Sequence, residues 1–597
     1  MQMTEYVSEL INIIADKNLS KEEITKLKIS LSKKYKLKKI PTDTDIILWA
    51  KDSELNVIRK FLLRKPTRTI SGVAVIAMMT KPYGCPHGVC SYCPGGPNSV
   101  FGSVPQSYTG KEPSTLRSIR NHYDPYLIVF NRLEQYYVSG HFPEKVEVVI
   151  QGGTFNFYPK EYQEYFVKFI YKAMNDFSKM FFPDGEFSME RFKDFFELPG
   201  ELTPERTARI HEKILNAKYD FSNWNGKQKF SEHKCEGFDY DNIPPEAFEK
   251  ISLGYVQKEN ETAKIRCVAL VIETKPDYGK LKHGNEMLRL GCTRVEIGVQ
   301  SVYDQVLKEV NRGHTFADTI ESFRVLKDLG FKITAHYMPG LPLTTKEMDT
   351  HGLRQLFENP DLMPDMLKIY PCMVMKGTRL YMEWKKGKFS PISTEKAAEM
   401  IAEFKRIVPR YCRIIRVQRD IPTFMTESGV DKTNLRQYVG KIVKEKKIKC
   451  NCIRCREAGI NLLDKKVKID EIKINVFEYE ASQGKEFFIS ADNEKYDILF
   501  GYCRMRFPSQ FLRAEITKDS ALIRELHVYS PAVPIGKISD ESFQHRGIGK
   551  SLMKKAEEIA LSNGKKKIVV IAGVGAREYF RKIGYVSEGV YVVKRIQ

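Results

Sequence analysis

Apolar residues first recur at helical spacing. In VSELINIIADKN, Val7, Leu10, Ile11 and Ile14 fall on one face, which predicts an amphipathic helix. From about residue 71 to 422 the rhythm changes. Short, β-branched apolar runs at 73–80, 146–154, 268–274, 293–300, 332–340 and 367–375, with a further one at 413–421, alternate with helical stretches such as 317–329. Runs that are continuous rather than alternating predict strands buried on both faces, as in a parallel sheet. Six or seven strand–helix units predict a full or partial (β/α) barrel, with its chemistry at the strand C-termini. The gap from 154 to 268 is far longer than one crossover helix needs, so about 178–260 reads as an insertion with helices of its own. From about 475 the pattern is strand-rich. A strand ending near 534 is followed by a helix at 548–562, a strand at 567–572, a helix at 577–583 and a last strand at 590–596.

The expected architecture is therefore α/β. A basic helical region covers 1–70, a partial (β/α) barrel covers 71–440, a basic linker covers 441–474 and an α+β domain covers 475–597. Charge sharpens this division. The 597 residues hold 96 Lys+Arg against 75 Asp+Glu, a formal charge of +21, which argues for a polyanionic partner such as a nucleic acid. Residues 1–82 carry 16 basic against 9 acidic residues, with Lys33, Lys34, Lys36, Lys38 and Lys39 around Tyr35, and 440–468 carry 10 against 3. The longest apolar run, 73–79, is far short of the roughly 20 residues that cross a bilayer. The N-terminus has early acids and no uninterrupted apolar stretch, so no signal peptide is expected.

Six of the twelve cysteines crowd into two short clusters. That points to ligation in an intracellular, cytoplasmic chain rather than to a disulfide framework. Cys85, Cys90 and Cys93 form C-x4-C-x2-C directly after the first strand. Three thiolates in one loop can hold three irons of a cubane and leave the fourth open. A plant-type ferredoxin loop shares the spacing but needs a fourth cysteine. Gln151-Gly152-Gly153-Thr154 ends the second strand, and glycines there let the backbone approach a ligand. Cys450, Cys452 and Cys455 form C-x-C-x-x-C, which suits tetrahedral zinc with a fourth ligand the sequence does not name; free thiols are the alternative. Near the C-terminus, FQHRGIGK precedes a helix whose first N–H groups can cradle a pyrophosphate. His87 and His336 fall beside the expected site, and Tyr83, Tyr92, Tyr108 and Tyr123, aromatic residues near basic ones, can stack on an unpaired base or fill the core.

These motifs carry a resemblance. The cysteine loop after strand one, with the Gly-Gly turn after strand two, resembles the radical S-adenosylmethionine (AdoMet) superfamily. Gln544-His545-Arg546-Gly547-Ile548-Gly549, followed by AREYFRKIGY, is similar to the GCN5-related N-acetyltransferases. The combination, with CPHGVCSYCPGGP, QSYTGKEPSTLRSIRNHYDPY, QGGTF, ETKPDY, GCTRVEIGVQSVYD, NRGHT, HYMPGLP, LKIYP, RVQRDIP, RELHVY and GVGAREYFRKIGY, resembles the catalytic subunit family of Elongator in its archaeal, stand-alone type. The likeness runs from about residue 67 to the C-terminus. It departs in the long insertion and at Tyr337 and Gly340.

The resemblance implies an acyltransferase that makes 5-carboxymethyluridine at the tRNA wobble position. An AdoMet-derived radical would take hydrogen from the acetyl methyl of acetyl-CoA, the carbon radical would add to C5 of the uridine, and thioester hydrolysis would follow. It implies a 4Fe-4S cluster on Cys85, Cys90 and Cys93. AdoMet would lie beside Gly152, Gly153, Thr154 and Glu296, with Lys275 a catalytic candidate. Gln544, Arg546, Gly547, Gly549 and Lys550 would contact the CoA phosphates, with Tyr579 at the thioester and catalytic. Lys111 is a candidate substrate contact. Zinc on Cys450, Cys452 and Cys455 matches prokaryotic members of the family. The partners expected are the tRNA anticodon stem-loop, AdoMet and acetyl-CoA; no membrane is expected, and a homodimer is left open. The competing reading is a protein lysine acetyltransferase with a structural iron–sulfur domain.

Overall fold

The computed structural model describes residues 2–17, 19–51, 54, 62, 69, 72–201, 203–219, 251–461, 471–529 and 547–597. Gln544 and Arg546, Cys235, residues 220–250 of the insertion and 462–470 of the linker lie outside the described residues. The chain divides into two compact units. One comprises Met1–Thr69, Asp124–Val146 and Tyr165–Arg266, and the other Ile70–Tyr123, Glu147–Glu164 and Cys267–Gln597.

The first unit is helical. Gln2–Asp16 buries Val7, Leu10, Ile11 and Ile14, the face its periodicity marks. Lys21–Lys34 begins at a capping box between Ser20 and Glu23, which satisfies two otherwise unpaired backbone donors. Lys33, Lys36, Lys38 and Lys39 stay exposed, while Lys34 pairs with Glu9 at 2.6 Å. Helices Met189–Phe196, Pro204–Tyr219 and Leu253–Asn260 fall within the long gap of the strand pattern. Phe181, Phe192 and Phe195 pack there edge to face, the arrangement aromatic quadrupoles favour. Among them run two buried ion pairs, Lys218–Asp124 and Lys172–Asp176, each at 2.5 Å.

The second unit holds two seven-stranded sheets. Strands β1 (Ala74–Met79), β2 (Gly96–Ser99), β3 (Gly102–Val104), β4 (Lys145–Gln151), β5 (Arg266–Thr274), β6 (Cys292–Gln300), β7 (Lys332–Tyr337), β8 (Met366–Ile369) and β9 (Arg413–Arg416) come first. Apart from the small β2–β3 hairpin they form one sheet in the order β1-β4-β5-β6-β7-β8-β9, parallel from β5 to β9. This is the partial barrel, and all seven runs contribute a strand to it. Several strands end earlier than their apolar runs. β7 stops before Pro339 and β8 before Pro371, because proline has no N–H for the ladder. β4 stops at Gly152, whose φ is +129°. The tails of these runs form the mouth of the barrel instead.

The C-terminal sheet is built from β10 (Lys473–Ala481), β11 (Gly484–Asn493), β12 (Ile498–Phe507), β13 (Ser520–Val528), β14 (Lys567–Val570), β15 (Val586–Glu588) and β16 (Tyr591–Arg595), ordered β10-β11-β12-β13-β14-β16-β15. β13 runs to Val528, and the rest of the stretch expected to end near 534 lies, from 530 on, outside the described residues. β13 pairs with β14 in parallel only over Ser520–Ile523, where β14 itself ends at Val570, so its last residues have no β14 partner. Arg504, Arg506 and Arg524 of this sheet are fully buried against the barrel. Arg524 meets Asp365 at 2.5 Å, Arg504 meets Glu525 at 2.9 Å, and Arg506 meets Asp328 at 2.7 Å.

Candidate active site

The cysteine loop leaves β1 at its C-terminal end and closes over the barrel mouth. Cys85 and Cys90 line one cavity together with Gly153, Thr154, Lys275, Glu296, Gln300, Arg312 and His336. Residues spread over 250 positions of sequence thus converge, because parallel strands bring their C-terminal ends to one face. No described cysteine is in a disulfide. Cys90 is approached by His87 Nε2 at 3.2 Å and Arg312 Nη1 at 3.8 Å, and Cys93 Sγ accepts from Gln106 Nε2 at 2.9 Å. Burial and the neighbouring Cys93 push the Cys85 thiol up to about 11. Burial, with Lys275 and Arg312 beside it, lowers His87 to about 3, so its ring is neutral and its Nδ1 accepts from Lys275 Nζ at 3.0 Å.

The Gly-Gly turn is sterically specified. A Cβ on Gly152 would lie 2.2 Å from Thr80 Oγ1. One on Gly153, where φ is +108°, would lie 3.0 Å from the Gln106 side chain and 3.6 Å from Cys85 Sγ. Below the mouth, Glu296 accepts from His336 Nε2 at 3.3 Å and pairs with Lys368. Burial raises its pKa, but Lys368, His336 and Arg294 together hold it well below the usual carboxylate range. Glu273, hydrogen-bonded by Tyr108 and Gln151 at 3.2 Å each, moves the other way, raised by burial despite Lys368, with Glu296 adding to the rise. Gln300 has φ +69°, and its buried Oε1 has no protein partner among the described residues. Strain at a cavity wall together with an unsatisfied acceptor fits a ligand contact.

An iron–sulfur cluster and AdoMet fit this donor set. Three free thiols sit beside close-approaching glycine backbone, and carboxylates and a guanidinium stand ready for amino, hydroxyl and carboxylate groups. Lys275 lies at this cavity, buried, in contact with His87 and with Asp277 at 3.2 Å. Lys111 does not line it; it is exposed on the loop before helix Pro113–Arg120. Tyr108, Gln300, Arg312, Arg416 and Arg419 also line the cavity, and sequence reasoning did not assign them to the AdoMet site. The quoted motifs GVQS, NRGHT and RVQRD held the signal for four of them.

In the second sheet, Gly547 opens helix Ile548–Ser562 with φ +90°, a left-handed conformation. A Cβ on Gly549 would lie 2.8 Å from Tyr579 Oη. The tyrosine thus lies over the helix start, near Val528 at the end of β13, and burial with nearby Cys503 pushes its hydroxyl up to about 12. Helix N–H groups and a freed strand edge fit the pyrophosphate and the amide-bearing arm of acetyl-CoA. Lys550 is exposed on the same helix. Separately, the Sγ atoms of Cys450, Cys452 and Cys455 lie within 4.8 Å of one another, and no fourth His, Cys, Asp or Glu joins them among the described residues. Lys405 Nζ stands 3.5 Å from Cys455 Sγ.

A partial parallel barrel with a three-cysteine loop, joined to a sheet with a helix-start anion cradle, defines a radical SAM enzyme of the acyltransferase class. Residues 235–352 match the Radical SAM superfamily, 364–445 the Radical_SAM C-terminal domain, 463–585 the Acetyltransferase (GNAT) family and 3–70 the ELP3 N-terminal domain. A "tRNA uridine(34) acetyltransferase" from Methanocaldococcus infernus is 41% identical over 97% of this chain and 96% of its own. "Elongator complex protein 3" from Saccharomyces cerevisiae is 39% identical over 95% and 90%. The chain belongs to this Elongator protein 3 and tRNA uridine(34) acetyltransferase family. The solved structure of archaeal Methanocaldococcus infernus Elp3 with an N-terminal deletion (1-46) is 37% identical. It superposes with a TM-score of 0.67, covering 88% of this chain and 100% of that one. No helix among the described residues is long and apolar enough to cross a membrane.

Proposed function

We propose that the chain carboxymethylates the wobble uridine of tRNA, forming a carbon–carbon bond at C5 with the acetyl group of acetyl-CoA. The observation that carries this reading is the convergence of the cysteine loop, the Gly-Gly turn and Glu296 on one cavity, in the same compact unit as the acetyltransferase-like sheet. When bound, the cluster and AdoMet supply a deoxyadenosyl radical that abstracts hydrogen. The chain's residues do the positioning. Cys85, Cys90 and Cys93 hold the cluster, and Gly152, Gly153, Thr154 and Glu296 hold AdoMet. Lys275 fixes His87 against Cys90. Gly547, Gly549 and Lys550, with Gln544 and Arg546, take the CoA phosphates, and Tyr579 faces the thioester. No nucleophile needs activating, because the acceptor is an unsaturated carbon rather than an amine.

The +21 charge and the exposed lysines of the N-terminal unit suit an RNA anion, as does Lys111. Zinc on Cys450, Cys452 and Cys455 would complete the basic segment, with Lys405 offsetting thiolate charge. Free cysteines fit a reducing, cytoplasmic setting.

The test is anaerobic. Reconstituted, reduced protein with AdoMet, acetyl-CoA and unmodified tRNA should yield 5′-deoxyadenosine and carboxymethylated wobble uridine, both lost in Cys90→Ala. Lysine acetylation of histone-like peptides with no tRNA product would establish the competing acetyltransferase instead.

A further inference from the structure

Barrel interiors are usually filled by apolar branched side chains. This one carries a ladder of charges from bottom to mouth. At the bottom, Lys332 opens β7 and pairs with Glu525 of β13 in the acetyltransferase sheet at 3.2 Å. Arg294 of β6 is the register partner of Lys332. Its Nη2 lies 3.0 Å from Glu147 of β4 and 3.5 Å from Glu296 of β6, and its Nη1 lies 3.4 Å from Met366 Sδ of β8. Glu525 also acts electrostatically on Arg294. One buried guanidinium therefore spans the barrel interior. Glu147 lies on the strand that ends in the Gly-Gly turn, and Glu296 faces the cavity that holds Cys85 and Cys90. Glu525 lies on β13 beyond Ile523, where β14 has ended and the edge of β13 has no ladder partner from it. A ligand seated along that freed edge meets the strand that carries Glu525.

We propose that Arg294 is a positioning residue that couples the AdoMet end of the barrel to the acetyl-CoA edge of β13; this rests on the assignment of the two ligands above. Arg294 touches neither ligand. It sets the placement of Glu296 and of the Gly-Gly turn through Glu147, and it responds to Glu525 through Lys332. Paired carboxylates in a low-dielectric interior transmit such shifts strongly, because an unbalanced charge there is costly. Coupling of this kind is reciprocal: each ligand must tighten the other by the same factor.

The measurement is AdoMet affinity by equilibrium dialysis, with the oxidised, full-length holoprotein, with and without saturating acetyl-CoA. The native chain should bind AdoMet about five-fold or more tightly when acetyl-CoA is present. In Arg294→Met the ratio should fall to about one while iron content and acetyl-CoA affinity are retained, and Arg294→Lys should restore part of it. Should Arg294→Met not fold, Glu525→Gln keeps Arg294 and its contacts to Glu147 and Glu296 and must lower the ratio as well. A native ratio of one, or an unchanged ratio in either folded variant, overturns the proposal. Absence of any AdoMet binding by the native chain would overturn the functional reading and this proposal with it.

Discussion

Gly152 and Gly549 show how much a single hydrogen decides at the two sites. Gly152 has a left-handed backbone and no room beside Thr80. Gly152→Ala combines positive-φ strain with a clash, a cost of about 1–3 kcal/mol. It should lower the denaturant midpoint of the protein and abolish AdoMet cleavage; cleavage at the native rate would remove the turn from the site. Gly549 is different, because its φ is ordinary and only space is at stake. A Cβ there meets Tyr579 Oη at 2.8 Å. Gly549→Ala should displace the tyrosine and weaken acetyl-CoA binding in calorimetric titration, with little effect on stability. Unchanged affinity would mean that the helix start does not hold CoA. At this scale the sequence marked both glycines through their motifs. It carried Gln300 and Arg312 within GVQS and NRGHT, but a Gln or Arg inside a strand or loop pattern has no signature of where it points, and their place at the cavity came from the fold.

Among elements, helix Lys346–Glu358 carries a titratable feature. Asp349 accepts from the Gly340 N–H at 2.7 Å and from Thr344 Oγ1 at 3.2 Å, holding the HYMPGLP turn after β7. Burial nonetheless pushes its carboxyl up to about 6, against both hydrogen bonds. A folded-state pKa above the unfolded value means that the folded chain holds the proton more tightly. That stabilisation is complete below about pH 3.9 and is lost as pH rises through 6. Asp349→Asn should therefore gain stability relative to the native chain between pH 4 and pH 7, by ~2 kcal/mol. Paired denaturant curves at several pH values measure this, and a difference independent of pH would place the carboxylate in contact with solvent.

The same turn shows why a strand ends before its run does. The run 332–340 is buried as far as Pro339, yet the ladder ends at Tyr337. Hydrophobicity tracks burial, and the mouth of a closed cavity is as buried as its strands. The Cys450–Cys455 segment was legible for the opposite reason, since its spacing alone brings the thiols together. Removing metal with a chelator should release about one zinc per chain from the native protein and none from Cys452→Ser; equal zinc in both would place the ion elsewhere.

For the whole molecule, buried charge joins the barrel to the acetyltransferase sheet. Asp365 receives Arg524 through both terminal nitrogens, stands 3.5 Å from Arg504, and also accepts the Ile333 N–H. Asp365→Ala removes the carboxylate that Arg524 and Arg504 share in a dry interface, leaving Arg524 only Glu486 and Arg504 only Glu525, at a cost of roughly 3 kcal/mol. Scanning calorimetry should show the barrel and the acetyltransferase sheet destabilised together. A shift confined to one would mean that the ion pairs do not bind them into a single cooperative block. The net charge makes a further prediction. Affinity for tRNA should fall steeply as salt rises, through loss of counterion release, and a flat dependence would return the lysines to a merely solvated surface.

Periodicity by itself determined the parallel barrel, the amphipathic N-terminal helix and the strand-rich C-terminal domain, because burial on one face or two leaves a local imprint. Cysteine and glycine spacing marked the two candidate ligand loops for the same reason: each is built from neighbours in the chain. Only the tertiary structure decided that Glu273, Glu296, His336 and Lys368 form one charged group within the barrel, and that Arg294 stands between it and Glu525. Those contacts join strands far apart in sequence. Their worth comes from a shared low-dielectric interior that no single segment possesses.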